Sequence, residues 1–314
     1  MQYTSKLYIL VAVLFVTCST ACQKELKLPA IGGDKKIVLI GEFVAGDTFY
    51  LRAGQSIPVS GSEKNGFQLL EDLSVNLSSG SNKYNLNSYA DDFSSILYTY
   101  PFSNAQIAVA GNTYHVEATH TSLGTATAEI YIPEQVDAKV TDTSSGRYNN
   151  DSVIKVRIRI NDPQGSANYY VIEALKQKLT IIGNDTTYHR EYSRNALYTA
   201  DKNSENVLDN GASTQNKRIL LKDSRFNGTV YETDVYVLRT VLTFGSETLK
   251  GRSLIRIKSV SEPYFRFLKA YEVYEPAIGF NTFEQPVKIE GNVNGGLGMI
   301  GGVSQVDHVL SYDP

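Results

Sequence analysis

The sequence TYHVEATH at residues 113–120 is followed, after a short turn, by TATAEIYIP at 125–133. In the first stretch Tyr114, Val116 and Ala118 recur at every second position, so their side chains would share one face of a strand. This alternation is typical of an antiparallel sheet that buries one face and exposes the other. The two stretches therefore predict a pair of half-buried strands.

Five similar stretches precede this pair, and turn residues such as Ala45-Gly46-Asp47 and Gly111-Asn112 separate them. They are IVLIGEF at 37–43, TFYLRA at 48–53, LSVNLSS at 73–79, KYNLNSY at 83–89 and SILYTY at 95–100. Seven short strands in about 100 residues are typical of a sandwich. We therefore predict an immunoglobulin- or transthyretin-like β-sandwich over residues 36–134.

The remaining residues, 135–314, predict a second, larger β-rich domain. VIKVRIRI at 153–160 alternates strictly, and NYYVIEALKQKLTII at 168–182 begins like a long strand. The predicted fold class is mainly β, with one amphipathic helix near residues 261–275. Its signals are an N-cap, a proline in the first turn, an aromatic stripe that would pack on the sheet, and a closing proline: Ser261, Pro263, Tyr264, Phe267, Leu268, Tyr271, Tyr274 and Pro276.

The N-terminal residues predict a targeting segment. Lys6 precedes an apolar run at 7–16, and small residues lead into Cys22. We predict a lipoprotein signal peptide at 1–21, lipidation of Cys22 and a tether at 22–35, because the apolar run is too short to span a bilayer. Two alternatives stay open: an ordinary secretory signal with an incidental cysteine, and cleavage before Cys18, where Thr17 is a poorer cleavage residue.

Composition narrows the classes of function. The chain has 314 residues, a net charge of −3 and only 2 cysteines, Cys18 and Cys22. The predicted mature protein would therefore contain no disulfide and no thiolate metal site. The acidic balance argues against nucleic acid as a partner. The predicted partner is the membrane, through the N-terminal lipid.

The segment GNVNGGLGMIGG at 291–302 formally matches the dinucleotide fingerprint through Gly296, Gly298 and Gly301. That fingerprint needs a preceding parallel strand and a following helix. No helical pattern follows, so we predict instead a backbone that bends sharply or is approached closely.

Asp201, Asn203 and Glu205 have the alternating oxygen ligands of a calcium loop, but Asn206 and Ala212 stand where an EF-hand requires Gly and Glu. We predict a solvated loop here. The histidines show no metal-type spacing: His115, His120, His189 and His308. We therefore predict no metal, no cofactor and no catalytic residue, although two carboxylates that meet only in the fold would escape sequence analysis.

Several motifs resemble one family of Bacteroidota lipoproteins, known only as domain of unknown function 4249. They are NDPQGSANYY at 161–170, LKDSRFNGTVYE at 221–232, SEPYFRFLKAYE at 261–272 and the terminal GNVNGGLGMIGG. The chain departs from the usual pattern at Phe265 and at Ile300-Gly301-Gly302. The resemblance implies an outer-membrane lipoprotein, often encoded beside TonB-dependent transporters, and it supplies no catalytic residue.

The same motifs also have a structural interpretation. Asp162-Pro163 with Gly165, and Asn227-Gly228, would form turns beside strands, and Ser261 would cap the helix. The predicted function is a lipid-anchored, non-enzymatic accessory or binding module at the outer membrane, with a TonB-dependent transporter as partner. The alternative is a stand-alone surface adhesin or glycan-binding lipoprotein. The polar residues after Cys22 suit either an export signal or a plain spacer, so the periplasmic and the cell-surface face both stay open.

Overall fold

The computed structural model describes residues 34–56, 69–92, 94, 99–182, 185–206, 208–209, 212–213, 216–239, 250–277 and 289–313. Apart from Asp34, all of them belong to one compact unit made of residues 35–56 and 65–314. Strands dominate this unit, which confirms the mainly-β prediction. The predicted signal peptide at 1–21, Cys22 and nearly all of the tether lie outside the described residues.

The described part of the chain up to residue 134 forms seven strands. They are β1 (Ile37–Val44), β2 (Thr48–Gln55), β3 (Ser74–Ser79), β4 (Asn82–Ser88), β5 (Thr99–Ile107), β6 (Thr113–His120) and β7 (Gly124–Tyr131). Six of them coincide with the predicted strands. For the remaining one, predicted at 95–100, residues 95–98 lie outside the described residues. Thr99 and Tyr100 belong to β5, which continues through Pro101, whose carbonyl accepts the Tyr89 N–H at 3.1 Å.

From residue 135 onward, the described residues form twelve further strands and one α-helix. They are β8 (Asp137–Tyr148), β9 (Asp151–Asn161), β10 (Tyr169–Ile182), β11 (Asp185–Asn195), β12 (Leu197–Thr199), β13 (Leu208–Asp209), β14 (Ala212–Ser213), β15 (Ile219–Lys222), β16 (Val230–Leu238), β17 (Lys250–Val260), α1 (Glu262–Ala277), β18 (Val293–Asn294) and β19 (Leu297–Asp313).

In the first sandwich, strands β1, β2 and β5 pack against strands β3, β4, β6, β7 and β18 around one core, and β4 pairs with β5, so both layers belong to one continuous sheet. Tyr114, Val116 and Ala118 of β6 are all buried in its core, as their alternation predicted. Phe43 and Phe49 lie opposite them, and their rings meet edge to face at 5.0 Å. The outer side of the second layer consists of the polar residues that alternate with this core.

The second sandwich packs the sheet β12–β16–β9–β8 against strands β15, β10, β17 and β19. Val156, Ile158 and Ile160 of β9 are buried between the two layers, which confirms the predicted apolar face of that strand. Ile172 of β10 and Ile257 of β17 oppose them.

The C-terminal strand β19 belongs to both sandwiches. Its first half pairs in parallel with β1, from Val38 opposite Leu297 to Val44 opposite Val303. Its second half pairs antiparallel with β17, up to Gly251 opposite Asp313. The first sandwich therefore includes residues from the end of the chain. The predicted division between residues 134 and 135 stays a prediction.

Helix α1 covers the outer face of the second sandwich, where β10, β17 and β19 come together. Tyr264, Phe265 and Leu268 are buried against that face, and Phe267 is partly buried there. The predicted packing of the aromatic stripe is confirmed for the described side chains. The helix differs from the prediction at its end, because Pro276 lies in its last turn rather than after it.

Candidate functional site

The two central motifs of the family resemblance meet in one junction. The Asp162 carboxylate accepts hydrogen bonds from the Tyr170 hydroxyl and, at 2.8 Å, from the Gly228 N–H. The Asp223 carboxylate accepts the Asn168 N–H at 2.7 Å. Both carboxylates are buried and both are used to hold backbone in place. The structural interpretation of these motifs is therefore confirmed.

A second polar cluster lies beneath helix α1, with Glu173 of β10 at its centre. Glu173 is only 1% exposed. Its Oε1 accepts a hydrogen bond from Arg194 at 2.6 Å and lies 3.2 Å from Arg218, while its Oε2 lies 3.2 Å from Lys258 Nζ without the angle of a hydrogen bond. A buried carboxylate with three cations around it is electrostatically satisfied.

The same cluster ties the helix to β1 as well as to the sheet below it. Lys258 Nζ donates to Glu42 at 3.1 Å, and the Tyr264 hydroxyl donates to the same carboxylate. Arg218 reaches Glu272 near the other end of the helix at 2.5 Å. The charges of three carboxylates and three cations thus balance: Glu42, Glu173 and Glu272 with Arg194, Arg218 and Lys258. These ion pairs attach helix α1 to the sheet.

The charges of the cluster determine its titration. Burial alone would raise the pKa of Glu173, but Lys258, Arg194 and Arg218 outweigh it and hold that pKa at about 2. Burial likewise opposes ionisation of Glu42, yet Lys258 and the Tyr264 hydroxyl lower its pKa overall. Both carboxylates are therefore ionised near neutral pH.

The glycines of the terminal motif allow other groups to approach the backbone closely, as predicted. A Cβ on Gly301 would lie 2.5 Å from Cδ1 and 2.6 Å from Cγ of the Tyr264 ring. The bare backbone of β19 at this position therefore lets the ring lie against it while its hydroxyl reaches Glu42. Gly296, Gly298 and Gly301 lie in or next to the start of a strand, and no strand-to-helix turn is formed there.

The calcium-like segment is anchored to the protein, so the prediction of a solvated loop is wrong for its described residues. Asp201 accepts hydrogen bonds from Tyr231 and Thr233, each at 2.5 Å. Glu205 instead binds Lys269 at 2.5 Å. The described residues contain no group of three or more His, Cys, Asp or Glu side chains that could hold a metal ion.

A concave polar surface lies on the outer side of the first sandwich, and we call it the polar face. The concavity has a volume of about 780 Å³. The side chains that alternate with the buried core form this surface: Asn76, Ser78, Lys83, Asn85, His115, Glu117, Thr127, Glu129 and Asn294.

The sheet register arranges the polar face in two rows that run across the strands. The first row consists of residues paired directly from β4 to β18: Asn85, Asn76, Glu117, Thr127 and Asn294. The second row consists of Lys83, Ser78, His115 and Glu129. In this row His115 Nδ1 lies 3.5 Å from Glu129 Oε2, and both side chains are exposed. Strand spacing places the members of a row about 4.8 Å apart.

Sequence analysis did not identify the polar face, because its residues come from two hairpins, β3–β4 and β6–β7, and from β18, which meet only in the fold. One local signal did exist. Asn is depleted in strands, since its amide competes with the backbone for hydrogen bonds. Asn76, Asn85 and Asn87 nevertheless stand inside two strands. Such departures from local preference concentrate at functional sites.

Comparison with known proteins gives one family. None of the curated proteins compared with this chain matches it. Over the described ranges of the chain, no helix has both the length and the apolar character needed to cross a bilayer. The model of a family described as a domain of unknown function, DUF4249, matches residues 24–308, which is most of the 314-residue chain. The chain therefore belongs to the domain of unknown function 4249 family.

Proposed function

We propose that the protein is a lipid-anchored, non-enzymatic binding module of the outer membrane that works with a TonB-dependent transporter. The observation that carries the binding role is the polar face. Its side chains project from a sheet and line a concave surface. In the other polar clusters described above, the side chains bind one another or the backbone and stabilise the fold. Rigid elements position binding groups more precisely than loops do.

The membrane anchor rests on the sequence that ends at Cys22. A lipid at Cys22 would tether the protein through the predicted segment 22–35 and leave the sandwiches free to meet a partner. The transporter partner rests on the family resemblance, since relatives of this kind are often encoded beside TonB-dependent transporters. A lipid-anchored module and an integral transporter in one membrane would meet at high effective concentration.

A stand-alone adhesin or glycan-binding lipoprotein is the second candidate. The exposed Tyr131 at the edge of the polar face favours it, because an exposed aromatic ring beside polar groups is a common binding platform. The two candidates differ in one observable property, since only the first requires a stable complex with a transporter.

The Cys22→Ala variant tests the anchor. We expect it to move from the membrane fraction to the soluble fraction, because acylation needs the thiol. Cys18→Ala is the matched control and should stay with the membrane. Wild-type-like retention of the Cys22 variant would contradict the lipoprotein proposal.

Affinity purification of the tagged protein from gently cross-linked envelopes tests the partner. Recovery of a TonB-dependent transporter in roughly equal amount is the expected result. Recovery of the protein without a transporter would contradict the accessory role and favour the stand-alone candidate.

A further inference from the structure

We propose that the polar face binds an uncharged, polyhydroxylated oligosaccharide laid across strands β4, β3, β6, β7 and β18. This inference rests on the proposed binding role and names its ligand class. Four steps support it: the choice of side chains, their unengaged hydrogen-bonding groups, a neighbouring aromatic ring, and the charge of the surface.

The side chains of the polar face suit sugar hydroxyls. A sugar hydroxyl both donates and accepts, so it is best met by side chains that offer donors and acceptors together. An Asn amide does this with two N–H donors and one carbonyl acceptor in a fixed plane, and carboxylates add further acceptors. Asn85, Asn76 and Glu117 stand side by side in the first row, with Asn294 at its other end.

These groups are available for a ligand. Among the described residues, no hydrogen bond or ion pair engages the side chains of Asn76, Lys83, Glu117, Thr127 or Asn294. The first row extends over four strand spacings, which is about 19 Å. That length accommodates a short oligosaccharide rather than a single sugar.

An aromatic ring stands at one edge of the surface. Tyr131 follows Glu129 by two residues on β7, so its side chain projects from the same side of the sheet. It is 46% exposed. The face of an aromatic ring carries negative charge density and attracts the C–H groups on the apolar face of a sugar ring.

The charge of the surface selects among possible ligands. Among the side chains that line the polar face, the carboxylates of Glu117 and Glu129 outnumber the single lysine, Lys83, and His115 lies beside Glu129, so the surface disfavours polyanions such as nucleic acid or acidic sugars. A peptide held by apolar anchors would need apolar pockets, and the outward side chains of the polar face are polar. An uncharged oligosaccharide satisfies the donors and acceptors without these conflicts.

An array of neutral, amino and acidic oligosaccharides, probed with the full chain in detergent, tests the inference. We expect retention on neutral oligosaccharides and none on uronate-containing ones. The retained sugars are then titrated calorimetrically. The double variant Asn76→Ala/Glu117→Ala should bind about tenfold more weakly, because two neighbouring hydrogen-bonding groups are lost. Tyr131→Ala should weaken binding in the same assay.

Glu232→Ala is the matched control, because Glu232 is an exposed strand carboxylate of the second sandwich. It should bind like the wild type. Exposed substitutions of this kind change stability little, so the variants are expected to stay folded, and thermal melting verifies this. Equal binding by the double variant, or no retention of the wild type on any saccharide, would overturn the inference.

The purification of a transporter partner separates this inference from the proposed function. If the double variant still recovers the transporter while the wild type retains no saccharide, the ligand class is wrong and the accessory role stands. If saccharides bind but no transporter is recovered, the ligand class stands and the accessory role is wrong.

Discussion

Gly301 has no Cβ, and this allows the Tyr264 ring of helix α1 to pack directly against the backbone of β19. A Cβ on Gly301 would lie only 2.5 Å from the Tyr264 ring, whose hydroxyl donates to Glu42. We predict that Gly301→Ala lowers the free energy of unfolding by about 1–3 kcal/mol, because the ring must move away from a well-packed position. Equilibrium denaturation in urea measures the change.

Gly146→Ala is the control for this prediction. Gly146 also lies in a strand, but nothing lies within 4 Å of the position its Cβ would occupy, so no steric cost arises there. Equal midpoints for the two variants would show that the Tyr264 ring is not confined by the backbone of β19.

Helix α1 is attached through ionised groups, so its attachment depends on pH. The pKa of Glu173 is lowered to about 2 and that of Glu42 is also lowered. A carboxylate whose pKa is lower in the folded protein stabilises the fold above its unfolded pKa of 4.5, and this stabilisation is lost as the pH falls toward 2. For Glu173 alone the loss amounts to about 3 kcal/mol.

We therefore predict that stability falls between about pH 4.5 and pH 2, and that Glu173→Gln removes part of this dependence. The variant should be less stable than the wild type at pH 7, because its neutral amide no longer balances three cations. The difference should shrink toward pH 2. Urea midpoints measured at several pH values provide the measurement, and a difference that stays constant would contradict the prediction. Asp223, whose pKa burial raises, acts in the opposite direction in both proteins.

Many of the elements were predictable from sequence, because each depends on a local pattern, but the long strands β8, β11 and β19 were not predicted. Alternation identified β6 and the apolar face of β9, and the N-cap with its aromatic stripe identified α1. Pairing between distant segments was not predictable. Nothing near Leu297 indicates that it pairs with Val38, and the rows of the polar face arise only after five strands have paired. The solvated interpretation of 201–206 failed because its partners, Tyr231 and Lys269, lie far along the chain.

At the scale of the whole molecule, the first sandwich depends on the end of the chain. Ile300 of β19 is part of its core, and β18 pairs with β7. We predict that residues 36–134 expressed alone do not unfold cooperatively, because β1 lacks its parallel neighbour and the core lacks a buried side chain. Thermal melting followed by circular dichroism measures cooperativity.

Appending residues 291–305 to this fragment through a Gly/Ser linker should restore a cooperative transition. The same linker followed by residues 291–305 in scrambled order is the control. A sharp transition in the fragment alone would mean that residues 36–134 form an independent domain and that β19 adds little to it.

The position of β19 also affects how the protein is made. A ribosome releases the chain from its N-terminus, so β1 emerges about 260 residues before the strand that will lie beside it in parallel. Until residues 297–303 appear, β1 keeps an unpaired edge and the first core lacks Ile300. Parallel pairing across such a separation is also intrinsically slow. The newly made chain therefore cannot complete the first sandwich until β19 has emerged, and β1 stays open to non-native pairing during that interval.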